Sequence, residues 1–463
     1  MIKKNLESWN EGLFEPLKKT LLYAQRHIPY YTSTINTLQG QTIHELLQCI
    51  PLLEKETVID HLQQFRKDNL HQPGRVSTGT LRRKQRFMDV QYTNAEMQAI
   101  QCFYHHHRSW SHAYRFDKYK PIPIKKELEN IIVFQILNTH YEVPFHIPNP
   151  NLISILWTSH ANTLEIIKKT LKALEIIHIF EVEASTLIKL TIMLEQQQFN
   201  FNQMNVTSMM IFGFISKKWR DFIAKRWQCT ISEAFSLSEM RAKAYLCQHG
   251  QTPHFHFKPL PIVTEIIHPI TRESIDAGAG LLCLTPLYPF TQQQLLLRYL
   301  TQDIVNIVPC DETSLLGFSW CGRERDVVFL DNADASHSSV GLREIIECLD
   351  HYYEIARSDD DFEILGLIET GSVGWPLCKI EYIKHTLNIH LILIYPPALF
   401  VEKTNNLCQA IKNDILLSNE YLRQNVHCGH LEIKIIPHPP TTKNNGCLDG
   451  WHHQAFQSVV KLT

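Results

Sequence analysis

Leu152-Ile-Ser-Ile-Leu-Trp157, Ile177-His-Ile-Phe-Glu-Val182 and Met209-Met-Ile-Phe212 are three short apolar runs, each followed by a stretch with helical periodicity. The periodic stretches cover 163–174, 185–197 and 216–227. A short, nearly unbroken apolar run suits a strand buried on both faces, as in a parallel sheet covered by helices. Strands alternating with helices of this length predict α/β layers. A further strand-like segment, Cys229 to Phe235, continues the series.

Working outward, residues 5–65 read as helical. Leu13, Leu17, Leu21 and Leu22 fall on one stripe, Ile43 to Ile50 carries a second, and Pro29 and Pro51 punctuate them. Residues 92–107 read as a helix with Thr93 as N-cap and Glu96 three residues later. From 255 to 330 the pattern changes to consecutive short strands, including Pro261 to Ile267, Leu281 to Thr285 and Val327 to Leu330. From about 335 the tail reads as α+β: helix 341–357, strands Phe362 to Glu369, Ile380 to Ile383 and Ile389 to Tyr395, helix 405–423 and strand Leu431 to Ile436.

The chain has 463 residues, which at roughly 150 residues per domain suggests two or three units. Net charge is 45 − 47 = −2, without the basic excess of a nucleic-acid binder. No apolar run approaches the roughly 20 residues of a membrane helix. The opening MIKKNLESWNEG has two lysines but no apolar stretch behind them, so no secretory signal is expected. Twelve cysteines without any C-x-x-C predict reduced thiols in a cytoplasmic protein.

Histidine is abundant, at 25 residues. Adjacent side chains at His105, His106 and His107 point in different directions, so a shared ion is not expected there. His254 and His256 share one face of a strand. They lack a nearby Cys or carboxylate partner in sequence and are therefore not assigned to a metal.

Val76-Ser-Thr-Gly-Thr-Leu-Arg-Arg-Lys-Gln-Arg86 joins small hydroxyl residues to a run of cations. Backbone amides, hydroxyls and nearby cations together can cradle a phosphate; a polar turn before a solvated basic face gives the same composition. The segment is not a Walker A loop, since G-x-x-x-x-G-K-[ST] is absent. Glu239, just after a strand-like segment, is on its own terms a helix-start carboxylate, and Asp303 a turn residue.

Against the whole chain, that segment resembles the phosphate-binding loop of adenylate-forming enzymes, the superfamily of acyl-CoA synthetases, luciferases and peptide-synthetase adenylation domains. Ser77, Thr78, Gly79 and Thr80 match the pattern S-[ST]-G-T-T-G-x-P-K, whereas Leu81, Arg82, Lys84 and Gln85 depart from it. Ala234-Phe-Ser-Leu-Ser-Glu-Met240 resembles Y-G-x-T-E, Leu297-Arg-Tyr-Leu-Thr-Gln-Asp303 resembles R-Y-R-T-G-D, and Cys321-Gly-Arg-Glu-Arg-Asp326 resembles the G-R-x-x-D hinge. Tyr23 to Tyr31, Ile50-Pro-Leu-Leu-Glu-Lys55 and Val263-Thr-Glu-Ile-Ile-His-Pro269, with Gly280 and Thr285 beyond, are similar to phenylacetate–CoA ligases and their capsule-biosynthesis relatives.

The resemblance implies a large N-terminal domain over 1–325, with α/β layers and a distorted β-barrel, and a small mobile α+β domain over 326–463. It implies ATP-dependent activation of a carboxylic acid as an acyl-adenylate, then transfer to CoA, a carrier-protein thiol or an amine. ATP and Mg²⁺, with CoA as the possible acceptor, are the implied cofactors. Ser77, Thr78, Gly79 and Thr80 would hold the phosphates. Phe235 would stack on adenine, Ser238 touch the α-phosphate, Glu239 hold Mg²⁺ and Asp303 bind the ribose. Arg298 is a catalytic candidate, with Lys443, and Arg323 a nucleotide-binding one; each is a phosphate or ribose contact or else a surface ion pair. Asp326 is the implied hinge. Tyr104, Trp110, Phe212 and Phe214 are aromatic candidates for the acyl pocket or for the core.

The family's tail lysine sits in R-[ST]-x-G-K; here Pro440-Thr-Thr-Lys-Asn-Asn-Gly-Cys447 places Cys447 there, with Lys443 four residues upstream as the candidate substitute. Arg82, Ser236 and Gln302 stand where the motifs have glycine. Two readings follow: a carboxylate ligase, supported by the retained Glu239, Asp303 and Ser77 to Thr80, or a catalytically degenerate fold that binds or scaffolds within a biosynthetic pathway.

Overall fold

The computed structural model describes residues 5–35, 38–67, 74–77, 88–91, 95–96, 99, 116–117, 120–121, 132–138, 152–157, 161–237, 239–240, 242–247, 253–257, 262–310, 315–324, 327–330, 338–357, 376–440 and 455–456. The N-terminal helices end where their sequence dictates. Phe14–His27 buries Leu17, Thr20, Leu21 and Ala24 along one stripe. It stops at Ile28, which is extended because Pro29 follows, and Pro29 opens the next helix.

The centre of the molecule is one eleven-stranded sheet. Leu152–Trp157, Val133–Asn138, Ile177–Glu183, Val206–Phe212 and Thr230–Leu237 form its parallel half. Helices Ala161–Ala173, Ala184–Gln196 and Lys217–Trp227 supply the apolar cover. The buried Trp227 packs on Phe180 and Phe201 and donates from Nε1 to Thr191 Oγ1 at 2.9 Å. The sheet then turns antiparallel through Ala242–Cys247, His254–Phe257, Phe318–Arg323, Tyr299–Ile307, Ala279–Pro286 and Ile262–Ile267. These strands continue the open sheet; among the described residues they do not close a barrel. The N-terminal helices pack on this antiparallel half.

The α/β layers and the small α+β tail expected from the sequence are present. A third hydrophobic cluster is built almost entirely from residues 328–433. It contains a four-stranded sheet, in which Cys378–Ile383 pairs antiparallel with Thr386–Ile392, and Thr386–Ile392 pairs parallel with Glu432–His438. The expected helix 405–423 is two helices, Val401–Ser418 and Glu420–His427. Asn419 is extended between them, and its side chain caps the second by accepting from the Leu422 N–H. Likewise, the expected helix 341–357 ends at Leu349. Asp350, fully buried, follows it and accepts from Ser216 and Arg357. The expected strand Phe362 to Glu369 and His105 to His107 lie outside the described residues; of the expected helix 92–107, residues 95–96 and 99 are described as helical.

Candidate nucleotide site

Strand Tyr299–Ile307 carries Asp303 inward, opposite Arg323 on its antiparallel neighbour. Asp303 is 1% exposed. Its Oδ1 accepts from Trp320 Nε1 at 2.9 Å and its Oδ2 from Arg323 at 3.0 Å. Arg323 also donates to the Thr301 carbonyl. Burial pushes the Asp303 carboxyl above the ordinary carboxylate range, with Arg323 and the indole N–H pulling against it. Arg323 keeps about a third of its side chain in solvent, at 33%. The acid is thus a deep acceptor, with the cation beside it open to solvent.

Glu239 lies just beyond the end of strand Thr230–Leu237. It pairs with Lys55 at 3.1 Å, with side-chain exposures of 10% and 8%. Lys55 starts the helix Lys55–Asp60. The segment before it is stitched to the sheet, since Leu53 donates to the Arg298 carbonyl and Leu300 donates to the Leu53 carbonyl. The pair therefore rests on backbone pairing between residues far apart in sequence. Tyr299 stands next to it. Its hydroxyl is buried without a hydrogen-bond partner among the described residues. Burial raises the phenol well above its ordinary value, and the charges of Glu239 and Asp303 add to that.

Phe235 is half-buried on the same strand that leads to Glu239. Its ring meets Phe318 and Phe257 edge-on, with centroids 5.7 and 6.1 Å away. Gln302 takes the position where the related motif has glycine and adopts φ +62°. That left-handed conformation is what glycine accommodates without cost. Ser236, at another such position, is exposed on an extended strand. There no left-handed conformation is required.

Arg298 is occupied elsewhere. Its guanidinium donates twice to Glu265, at 3.1 and 2.9 Å, and once to the Ile50 carbonyl at 2.9 Å. Glu265 is 1% exposed. Arg298 is therefore a clamp between the helical N-terminus and the sheet. Two of the motif residues read from the sequence, Glu265 and Arg298, hold each other. Phe214 packs on the C-terminal cluster, with the Arg343 guanidinium 4.9 Å from its ring. Phe212 packs with Ile179, Met210 and Ala234. Ser77 ends strand Gly74–Ser77. Thr78, Gly79, Thr80, Ser238, Asp326, Lys443, Cys447, Tyr104 and Trp110 lie outside the described residues.

The structure thus brings together Glu239, Asp303 and Arg323 and adds Lys55, Tyr299 and Trp320, which sequence reading did not assign to the site, while the Phe235 ring packs on Phe318 and Phe257. Lys55 sits in the quoted Ile50-to-Lys55 segment and Tyr299 in the quoted 297–303 segment. Neither residue type announces an electrostatic neighbour so far away in sequence. A hollow of about 560 Å³ on the C-terminal unit is lined by Tyr352, Glu354 and Lys403 among others, and by none of these site residues.

No protein-family model matches the chain, and no curated protein matches it in sequence. Solved structures do match its fold. An open conformation of 2-hydroxyisobutyryl-CoA ligase, in complex with 2-HIB-AMP and CoA, aligns with TM-score 0.60 at 12% identity over 94% of this chain and 89% of that one. The same ligase in its postadenylation state with 2-HIB-AMP gives 0.59 at 12% identity over 94% and 86%. A GH3.15 acyl acid amido synthetase gives 0.51 at 10% identity over 94% and 88%. The chain has the fold of the adenylate-forming ligases.

Proposed function

We propose that this chain activates a carboxylic acid with ATP, forming an acyl-adenylate and pyrophosphate, and then passes the acyl group to CoA, a carrier-protein thiol or an amine. The observation that carries the reading is the deep Asp303 acceptor beside the Glu239 carboxylate, within a fold shared with ligases that handle acyl-AMP. Asp303 accepts hydrogen bonds from the ribose hydroxyls, and Phe235 offers an apolar face to the base. Arg323, with about a third of its side chain in solvent, supplies positive charge where phosphate oxygens gather charge during displacement. Ser77, Thr78, Gly79, Thr80 and Ser238 are the proposed phosphate contacts.

Glu239 suits a hard divalent cation, because it is a carboxylate close enough to Asp303 to add to the rise that burial gives that acid's pKa, and it is paired with the buried Lys55. Mg²⁺ bound there would neutralise phosphate charge as the carboxylate attacks. Lys55 holds Glu239 in place and competes with that cation. Lys443 is the proposed contact to the acyl carboxylate.

The proposed domains are 1–325 and 326–463, hinged at Asp326. The separate cluster over 328–433 supports this division. Ser216 donates to Asp350, Lys217 N–H to Glu347 and Arg343 to Glu233, so a rotation of the C-terminal unit would exchange these contacts. The branch closest to phenylacetate–CoA ligases is the proposed placement, supported by the 23–31, 50–55 and 263–269 segments. A second reading, nucleotide binding without turnover, is favoured by Cys447 at the lysine position and Gln302 at the glycine position. Carboxylate-dependent pyrophosphate release over a panel of acids separates the two. Turnover that vanishes in Asp303→Ala supports the ligase, and nucleotide binding without release on any acid supports the second reading.

A further inference from the structure

We propose that Cys247, His254, His256 and Cys310 form a structural zinc site. Their ligand atoms all lie within 4.8 Å of one another. The sequence reading left His254 and His256 unassigned to a metal; the folded sheet brings Cys247 and Cys310 to them. Cys247 ends strand Ala242–Cys247 and is registered directly opposite His254. Cys310 arrives from the connection after strand Tyr299–Ile307, more than fifty residues on. Both cysteines are thiols without a disulfide. All four residues except the half-buried Cys247 are buried.

The geometry is that of a converging cage. His254 Nε2 and His256 Nε2 approach to 3.0 Å, and their rings are perpendicular. His256 Nδ1 lies 2.8 Å from the Leu316 carbonyl. A carbonyl only accepts, so Nδ1 carries the proton and Nε2 presents its lone pair inward. This is the backbone-carbonyl support that metal-ligating imidazoles use. A tetrahedral zinc with Zn–N about 2.0–2.1 Å and Zn–S about 2.3 Å has ligand–ligand edges of about 3.3–3.8 Å. The four atoms reach that shape by shifts on the order of an ångström. Gly317 permits the approach. A Cβ there would lie 2.4 Å from the Val308 carbonyl and 2.9 Å from the His254 ring.

Two thiolates and two neutral imidazoles make a closed, four-protein-ligand set, the pattern of a structural rather than a catalytic zinc. Binding releases two thiol protons to solvent. The position explains the use. The His254–Phe257 and Phe318–Arg323 strands are joined by a single registered pair, Phe255 with Phe318, whereas each neighbouring ladder of this sheet has four or more. The four residues lie on both sides of that seam, so the ion fastens the sheet where its backbone pairing is shortest.

The test uses the full-length protein expressed with zinc. Metal analysis should give about one zinc per chain. Cobalt(II) loaded into chelator-stripped protein should give the visible bands of a tetrahedral site and a thiolate charge-transfer band, both erased by one added equivalent of zinc. Cys310→Ser and His256→Gln should bind at least tenfold more weakly, as a control Cys428→Ser should not; Cys428 is exposed. Wild-type protein that carries less than about a tenth of an equivalent and yields no tetrahedral cobalt spectrum would overturn the proposal. So would cobalt bands that persist unchanged in Cys310→Ser, or a Cys247–Cys310 disulfide in the freshly isolated protein.

Discussion

Replacing Lys55 by Met removes the ammonium paired with Glu239 and leaves that largely buried carboxylate in a setting it shares with Tyr299 and Asp303. At 3.1 Å, Coulomb's law with an effective dielectric near 20 gives an attraction of about 5 kcal/mol. Desolvation already opposes that gain, so the measurable cost of breaking such a pair is about 3–5 kcal/mol. At roughly 2 °C per kcal/mol or less for a unit of more than 250 residues, Lys55→Met should melt on the order of 5–10 °C lower. Glu239→Gln should cost less, about 1–3 kcal/mol, because the lysine can extend toward solvent. The double variant should recover about 2–3 kcal/mol relative to the sum of the single costs. Equilibrium denaturation of the four proteins reads the cycle. A second readout concerns the metal: millimolar Mg²⁺ with ATP should stabilise Lys55→Met more than wild type, since the ion replaces the lost charge. Additivity within about 0.5 kcal/mol would refute the buried pair. Equal stabilisation of both proteins would refute Glu239 as the metal ligand.

Two more outcomes are expected. Gln302→Gly should raise stability by about 0.5–1 kcal/mol by relieving a left-handed glutamine, read as a shift in denaturant midpoint at unchanged slope; a loss would show that the side chain's contact with Glu56 at 3.3 Å outweighs the strain. Asp303→Asn should be at least as stable as wild type at neutral pH while losing roughly ten- to a hundredfold in nucleotide affinity. The sign follows from burial. The folded carboxyl is held above its ordinary value, so its contribution to stability is complete below the ordinary carboxylate range and is lost as pH rises through the raised value. Wild type should therefore gain on Asp303→Asn as pH falls, and parallel pH profiles would contradict this.

The layers were legible because burial on both faces writes itself as apolar runs, as in Ile177 to Val182. Val133–Asn138 carries Gln135 inside its apolar run, which blunts the strand pattern. In the sheet Gln135 is satisfied by Glu181 on the adjacent strand, at 3.3 Å. Ala242–Cys247 is short and broken by Lys243. The site was half legible. Asp303 and Glu239 stand in recognisable motifs, but their electrostatic settings come from Lys55, Trp320 and Arg323, brought near by strand register rather than by sequence spacing. Arg298 shows the reverse case. Its motif suggested chemistry, and its guanidinium is spent on Glu265 and a carbonyl. The Cys247–His254–His256–Cys310 cluster was invisible for the same reason as Lys55: Cys310 reaches it only once the sheet is assembled.

The decisive experiment is a calorimetric titration of Mg²⁺–ATP into the full chain, beside Asp303→Ala and Glu239→Ala. The proposed nucleotide site predicts saturable binding to wild type that weakens in both variants, with the Glu239→Ala loss disappearing when magnesium is withheld. No heat of binding at millimolar nucleotide, or equal affinity in all three proteins, would contradict it.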